Sequence, residues 1–175
     1  MNSKKIISII VPIFNEEEVL PFFFERLYKV LNNINDYNFE VIIINDGSTD
    51  SSLKKITSLK SKYNNIVLVD LSRNFGKEAA LTAGIDLAKG DAVIPIDSDL
   101  QDPPELINKL IKSWEDGFEI IEAKRINRNS DFFFKKTSAR LFYLILNLLS
   151  NNKISSNVGD FRLMNRNVVN NIKKL

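Results

Sequence analysis

Four largely apolar runs constrain this chain more than anything else in it: Ile6–Ile13, Phe39–Asn45, Ile66–Leu71 and Ala92–Asp97. They are continuous rather than alternating and rich in Ile and Val. A strand that is apolar on both sides must be covered on both faces, as in a parallel sheet sandwiched between helices. A weaker run, Phe118–Ala123, follows. Between the runs lie segments of helical spacing, Glu17–Leu31, Ser51–Lys62, Lys77–Lys89 and Pro104–Asp116. In the first of these, Leu20, Phe23, Phe24, Leu27, Val30 and Leu31 make one stripe. The alternation predicts an α/β fold, an open, mostly parallel, Rossmann-like sheet flanked by helices.

Boundary residues support the division. Asp102 precedes Pro103 and Pro104, with Glu105 three residues on, the pattern of an N-cap with its return acid and proline in the first turn. Gly90 after Lys89 reads as a helix stop, and Asp50 as a candidate cap for the segment after it. After Arg125 the pattern changes. Asn127–Ser130 reads as a loop and Phe132–Ser150 as a long helix; Asn151–Gly159 is polar. Phe161–Met164 reads as a short strand, and the sequence closes on a helical fragment. The expected organisation is an α/β core over residues 1–124, with residues 125–175 a further segment of the same domain.

Composition narrows the chemistry. With 24 basic and 22 acidic residues the net charge is +2, too balanced to suggest a nucleic-acid partner. Cysteine is absent, which removes disulfides and thiolate metal sites. Histidine is absent too, which removes the usual general base and zinc ligand. Any metal must sit on oxygen, which favours Mg²⁺ or Mn²⁺. The run from Ile6 to Val11 is short and ends at Pro12 without a small-residue cleavage site, so it reads as a first strand rather than a signal peptide. No stretch reaches the ~20 apolar residues that cross a membrane.

Sheets of this kind bind ligands beyond the carboxyl ends of their strands. The four strand ends read Pro12-Ile13-Phe14-Asn15-Glu16, Asn45-Asp46-Gly47-Ser48-Thr49-Asp50, Ser72-Arg73-Asn74-Phe75-Gly76-Lys77 and Asp97-Ser98-Asp99. Asp97 and Asp99, where a strand becomes a loop, can converge on one hard cation, and such a cation suits a diphosphate. The plainer alternative is a capping loop with solvated acids. Asp46 ends a buried run before a glycine, where its carboxylate can accept from the base N–H of a nucleotide or simply serve the turn. Lys77 opens a helix, where a cation opposes the macrodipole; with Arg73 it points to an anionic ligand, against the alternative of solvated surface.

Val11-Pro12-Ile13-Phe14-Asn15-Glu16, Asn45-Asp46-Gly47-Ser48-Thr49-Asp50 and Asp97-Ser98-Asp99 together resemble the family 2 inverting glycosyltransferases of the GT-A fold. Leu71–Glu78, Asp97–Glu105 and Gly159–Met164 resemble, more narrowly, the polyprenyl-phosphate glycosyltransferases, which include dolichol-phosphate mannose synthases and bactoprenol glucosyltransferases. The resemblance implies a UDP- or GDP-sugar donor, a polyprenyl phosphate acceptor and a divalent ion. It implies a cytoplasmic enzyme, peripheral at the inner membrane face. Bacterial members of the branch usually continue into two transmembrane helices, which this sequence, ending at Leu175, does not include. Residues 1–124 would then be the nucleotide-sugar core and residues 125–175 the acceptor-side segment.

By the same resemblance, Asp99 and Gln101 ligate the metal, and Asp97 joins them or holds the ribose side. Pro12, Phe14 and Glu16 wall the nucleoside pocket. Asp160 is the acid near the acceptor and, with Asp99, a catalytic candidate. Arg125 and Arg128 are candidates for the acceptor phosphate, within a basic cluster that includes Lys135, Lys136 and Arg140 around Phe132, Phe133 and Phe134. The helix carrying these phenylalanines either lies in a membrane interface or belongs to the core. Rival readings are a same-fold transferase acting on a sugar hydroxyl, for which Asp160 is indispensable as base, and a domain that binds nucleotide sugar without transferring it.

Overall fold

The computed structural model describes residues 4–124 and 158–174. Arg125, Arg128, Lys135, Lys136, Arg140, the expected loop at 127–130 and the expected helix over 132–150 lie outside the described residues. The chain divides into one compact unit of Met1–Glu122 with Asp160–Leu175, and a second of Ala123–Gly159; nearly all the described residues belong to the first.

The strands are β1 (Ile6–Ile13), β2 (Asn38–Asn45), β3 (Ile66–Asp70), β4 (Ala92–Pro95), β5 (Ile120–Lys124) and β6 (Val158–Asn165). They form one sheet in the order β3-β2-β1-β4-β6-β5. The β1–β2, β1–β4 and β2–β3 pairs are parallel, as the continuous apolar runs predict, but β3 lies at the sheet edge and only Ile66 of it is buried, so the expected cover on both faces does not hold there. The expected α/β architecture is what the chain adopts. β6 runs antiparallel to β4, with Ala92 opposite Asn165 and Val93 opposite Met164. It is also longer than the expected Phe161–Met164. Its pattern explains both facts: buried Phe161 and Leu163 alternate with partly exposed Asp160 and Arg162, as suits an antiparallel strand.

The helices are α1 (Leu20–Leu31), α2 (Ser52–Lys62), α3 (Lys77–Leu87), α4 (Ile107–Glu115, entered through a 3₁₀ turn at Pro104–Leu106) and α5 (Arg166–Ile172). α1 buries Leu20, Phe23, Phe24, Leu27 and Leu31, with Phe23 and Phe24 edge to face at 5.2 Å. Each such side chain contributes roughly 1.5–3 kcal/mol. Val30, expected on this stripe, is only partly covered, and Tyr28 is buried there. Its ring stacks on Tyr63, and its hydroxyl donates to Asn65 Oδ1 at 2.8 Å. A second cluster includes Ile10, Ile42, Ile44, Ala80, Leu81, Val93, Met164 and Val169. There α3 comes so close to β1 that a Cβ on Gly84 would stand 2.4 Å from Ile10 Cγ2.

Three local expectations are corrected. α1 begins at Leu20 rather than Glu17, because the Val19 and Leu20 N–H groups close a turn on the Glu16 carbonyl and Pro21 enters the first helical turn. Gly90 is not the stop of α3, which ends at Leu87. Gly90 instead packs against β1, where a Cβ would meet Ser8 Oγ at 2.6 Å and the Ile6 carbonyl oxygen at 2.8 Å. The Asp102–Glu105 capping box is replaced by a cap at Pro103 without a side-chain bond. The Glu105 carboxylate takes Arg26 of α1 in a two-pronged pair, 2.6 and 2.8 Å.

Candidate active site

β1 lies between β2 and β4, so successive connections leave it in opposite directions, and the crevice above the β1–β4 seam is the place such a sheet offers a ligand. A cavity of about 250 Å³ opens there. The end of β1 contributes Pro12, Ile13, Phe14 and Glu16; the end of β2, Asp46; the loop and first turn after β3, Asn74, Gly76, Lys77 and Ala80; the end of β4, Asp97 and Asp99.

Side-chain hydrogen bonds stitch these loops together. Asn15 is left-handed, φ 53°, a conformation asparagine tolerates. Its Oδ1 accepts from the Thr49 N–H at 2.8 Å, and its own N–H donates to Ser48 Oγ at 3.0 Å. The Glu16 N–H donates to Ser52 Oγ at 2.9 Å, and the Glu17 N–H to Asp50 Oδ2 at 3.1 Å. Asp50 also accepts from the Ser52 N–H at 2.9 Å, two residues on. Gly47 has φ +63°, and a Cβ on it would lie 2.3 Å from the Arg73 carbonyl carbon, so only glycine lets the β2 and β3 loops touch. Asp46 is buried. Its two oxygens accept from the Phe75 and Gly76 N–H groups at 2.8 and 2.9 Å. Each oxygen keeps a lone pair for a further donor.

The acidic turn is equally constrained. Buried Ser98 donates to Glu16 Oε2. The Gln101 N–H donates to Asp99 Oδ1 at 3.0 Å, and Leu100 between them is left-handed, φ 62°, an uncommon state for a bulky side chain. Lys77 Nζ pairs with Asp97 Oδ2 at 2.6 Å and with Asp160 Oδ2 at 2.7 Å. β6 runs antiparallel to β4, and Asp160 near its start meets Lys77 beside Asp97, so an antiparallel strand delivers its acid to the edge where the parallel strands end.

Charge is crowded here. Burial first, then Asp99 and Asp97, push the Glu16 carboxyl from 4.5 up to about 7, against the pull of Lys77. Burial raises Asp97 as well, in spite of its bond to Lys77. Burial would lower Lys77, but hydrogen bonds to Asp160 and Asp97 hold it above its ordinary value. A neighbouring cavity of about 340 Å³ shares Glu16 and Asp99 and adds Asn15, Glu17, Glu18 and Asp50.

Of the residues singled out from sequence, Pro12, Phe14, Glu16, Asp46, Lys77, Asp97 and Asp99 share the first cavity, and Asp160 joins through Lys77. Arg73 and Gln101 do not line it. The Arg73 guanidinium sits 4.7 Å over the Phe75 ring, and Gln101 is exposed. Sequence reading passed over Asn74, Gly76, Ala80 and Ser98. Gly76, with φ +96° just before α3, had a signal in its glycine; Ser98 between two aspartates had none pointing inward.

Among the described residues no group of three or more Asp, Glu, His or Cys is arranged to hold an ion by itself. Mg²⁺-like ions need fewer, since one or two carboxylates with substrate phosphates and water complete their shell. After burial, the charges of Asp99 and Asp97 raise Glu16, and a cation would offset that negative charge. The residues present therefore fit a divalent ion that arrives with a diphosphate.

Residues 8–173 match the model of the family described as "Glycosyl transferase family 2". The chain belongs to glycosyl transferase family 2. This family 2 chain is 48% identical over 167 residues to the prophage bactoprenol glucosyl transferase homolog of Escherichia coli K12, covering 95% of this chain and 54% of that protein. It is 48% identical over 169 residues to the bactoprenol glucosyl transferase of Shigella phage SfV, covering 97% of this chain and 55% of that one. It thus spans about half the length of the curated relatives it matches. Two solved structures share the fold. The mannosyltransferase PcManGT of Pyrobaculum calidifontis, in complex with GDP-Man and Mn²⁺, is 18% identical with TM-score 0.67, over 97% of this chain and 47% of that one. Glucosyl-3-phosphoglycerate synthase of Mycobacterium tuberculosis, in complex with Mn²⁺, UDP and phosphoglyceric acid, is 22% identical with TM-score 0.64, over 94% and 57%. The expected family and the GT-A fold are borne out. Among the described residues no helix is long and apolar enough to cross a membrane.

Proposed function

We propose that this family 2 domain is the catalytic domain of an inverting, metal-dependent glycosyltransferase that moves a sugar from a UDP- or GDP-sugar to polyprenyl phosphate. The observation that carries the reading is the convergence of strand-end residues on one cavity: Pro12, Phe14, Glu16, Asp46, Lys77, Asp97 and Asp99. Pro12, Phe14 and Glu16 wall the nucleoside, and Asp46 accepts from its base. Arg73 and Lys77 serve the phosphates. Asp97, Asp99 and Gln101 would hold Mg²⁺ or Mn²⁺, which neutralises charge on the leaving diphosphate. The acceptor oxygen attacks the anomeric carbon opposite that group. The bond to the β-phosphate oxygen breaks, and its electron pair leaves with the nucleoside diphosphate.

A lipid phosphate is already ionised and has no proton that must be removed, so Asp160 positions groups on the acceptor side rather than acting as an obligatory base. Arg125 and Arg128 suit the acceptor phosphate by their planar forks of donors. Residues 1–124 form the donor core and residues 125–175 the acceptor side, working at the inner membrane surface, in keeping with the bactoprenol glucosyl transferases among the relatives. A second reading, transfer to a sugar hydroxyl with Asp160 as base, draws on the place of Asp160 beside the cavity, although the Lys77 ammonium against its Oδ2 opposes that role.

A screen of UDP- and GDP-sugars with Mn²⁺ or Mg²⁺ and a short polyprenyl phosphate tests this, with glycosyl phosphate detected by mass spectrometry. Asp99→Ala should abolish metal-dependent transfer. Undiminished metal-dependent transfer by that variant would falsify the metal assignment, and transfer only to hydroxyl acceptors would favour the second reading.

A further inference from the structure

We infer that Lys77 is a shared counter-ion through which the donor site and Asp160 sense each other: an incoming nucleoside diphosphate draws the ammonium off Asp160, and its departure lets the ammonium return. This rests on the reading of the cavity as a nucleotide-sugar site. Asp97 lines that cavity, whereas Asp160 belongs to another strand and joins it through its ion pair with Lys77.

Two carboxylates, Asp97 just past the end of β4 and Asp160 on β6, stand close enough to meet on one ammonium, and like charges so placed repel unless a cation intervenes. One ammonium serves both, at 2.6 and 2.7 Å. The pairs are accessible, with the Lys77 side chain 42% exposed, so they can exchange partners without breaking the core. Lys77 is also the first residue of α3, where the helix dipole opposes a cation and favours an anion. A diphosphate entering the cavity therefore competes with Asp160 for the same three donors of one ammonium.

Two consequences follow. Without nucleotide, Asp160 is held neutralised and turned to the donor side; with nucleotide, it is released to the acceptor side. By thermodynamic reciprocity, Asp160 must in turn weaken nucleotide binding. Lys77 is thus a positioning residue for Asp160 as well as a donor contact.

The test is calorimetric titration of the chain with UDP and GDP, each with Mg²⁺ and again in chelator. Asp160→Asn, which keeps the side chain's shape, should tighten nucleotide binding roughly three- to tenfold, the low end for coupled sites because the ion pairs are half exposed. Lysine-selective ¹⁵N NMR, with the Lys77 signal assigned through Lys77→Arg, supplies a second readout. The signal should differ between wild type and Asp160→Asn when free and coincide when both are saturated with nucleotide. Unchanged or weaker binding by Asp160→Asn, or a difference in the Lys77 signal that persists in the complex, overturns the inference while leaving the nucleotide site intact. Failure of wild type to bind either nucleotide overturns the proposed function instead. Should Asp160→Asn lose its cooperative melt, Asp160→Ser carries the same comparison.

Discussion

Glu16 offers a quantitative test of the electrostatics that organise the cavity. Its carboxyl is raised from 4.5 to about 7, chiefly by burial and then by Asp99 and Asp97. Below pH 4.5 the side chain is protonated in both the folded and unfolded chain and contributes nothing to pH dependence. Between 4.5 and about 7 the folded chain holds more protons than the unfolded one, so stability falls as pH rises. Above 7 both states are ionised and the full penalty stands. Glu16→Gln is permanently neutral, and its amide oxygen can still accept from Ser98. A shift of this size is worth roughly 3 kcal/mol for a group sealed from water. Glu16 is only partly covered, so screening reduces the gain to about 1–2 kcal/mol. In chelator, urea or thermal unfolding should show Glu16→Gln more stable than wild type by that amount at pH 8.5, and equal to it at pH 4.5. For a chain of this length the difference is about 2–8 °C in Tm. Titrations of distant groups cancel in the comparison. An offset of the same size at both pH values, or a less stable variant at pH 8.5, would refute the argument that ionised Glu16 is held against its neighbours.

Adding Mn²⁺ with UDP should flatten this pH dependence, because a cation beside Asp97 and Asp99 offsets the charge that raises Glu16; melts that keep the same slope with and without the pair would contradict the metal fit. Gly84→Ala gains up to about 1 kcal/mol of helix propensity. It also sets a methyl 2.4 Å from the fully buried Ile10, so overpacking of about 1–3 kcal/mol should win and lower the denaturation midpoint. The Arg26–Glu105 pair is two-pronged but exposed, 41% and 52%, so a double-mutant cycle to alanine should give a coupling of only about 0.2–1 kcal/mol, shrinking with added salt.

Much of the architecture was legible because β1, β2 and β4 are apolar on both sides, and only a covered parallel sheet accepts that. The residues just past the strand ends belong on one edge of such a sheet, and Pro12, Glu16, Asp46, Lys77, Asp97 and Asp99 meet there. What escaped depended on partners distant in sequence. Glu105 looks like a capping acid until Arg26 is found beside it, 79 residues away. Gly90 looks like a helix stop until Ser8 is seen to leave no room for a side chain. Arg73 has the right chemistry for an anion, and the seat of its guanidinium over Phe75 was not written in local pattern. Asp160 was recognisable by its neighbours in sequence; its pairing with Lys77 was not, because it follows from strand direction, which local pattern does not encode.

The late arrival of β6 has a consequence for how the domain matures. Synthesis supplies β1 through β4 and their connecting helices first, and the residues lining the cavity all lie between 12 and 99. Asp160 must be recruited across a long sequence separation, a slow, high-contact-order step. A nascent chain stopped before β6 would therefore bear the cavity and Lys77 beside Asp97, with Asp160 still to dock.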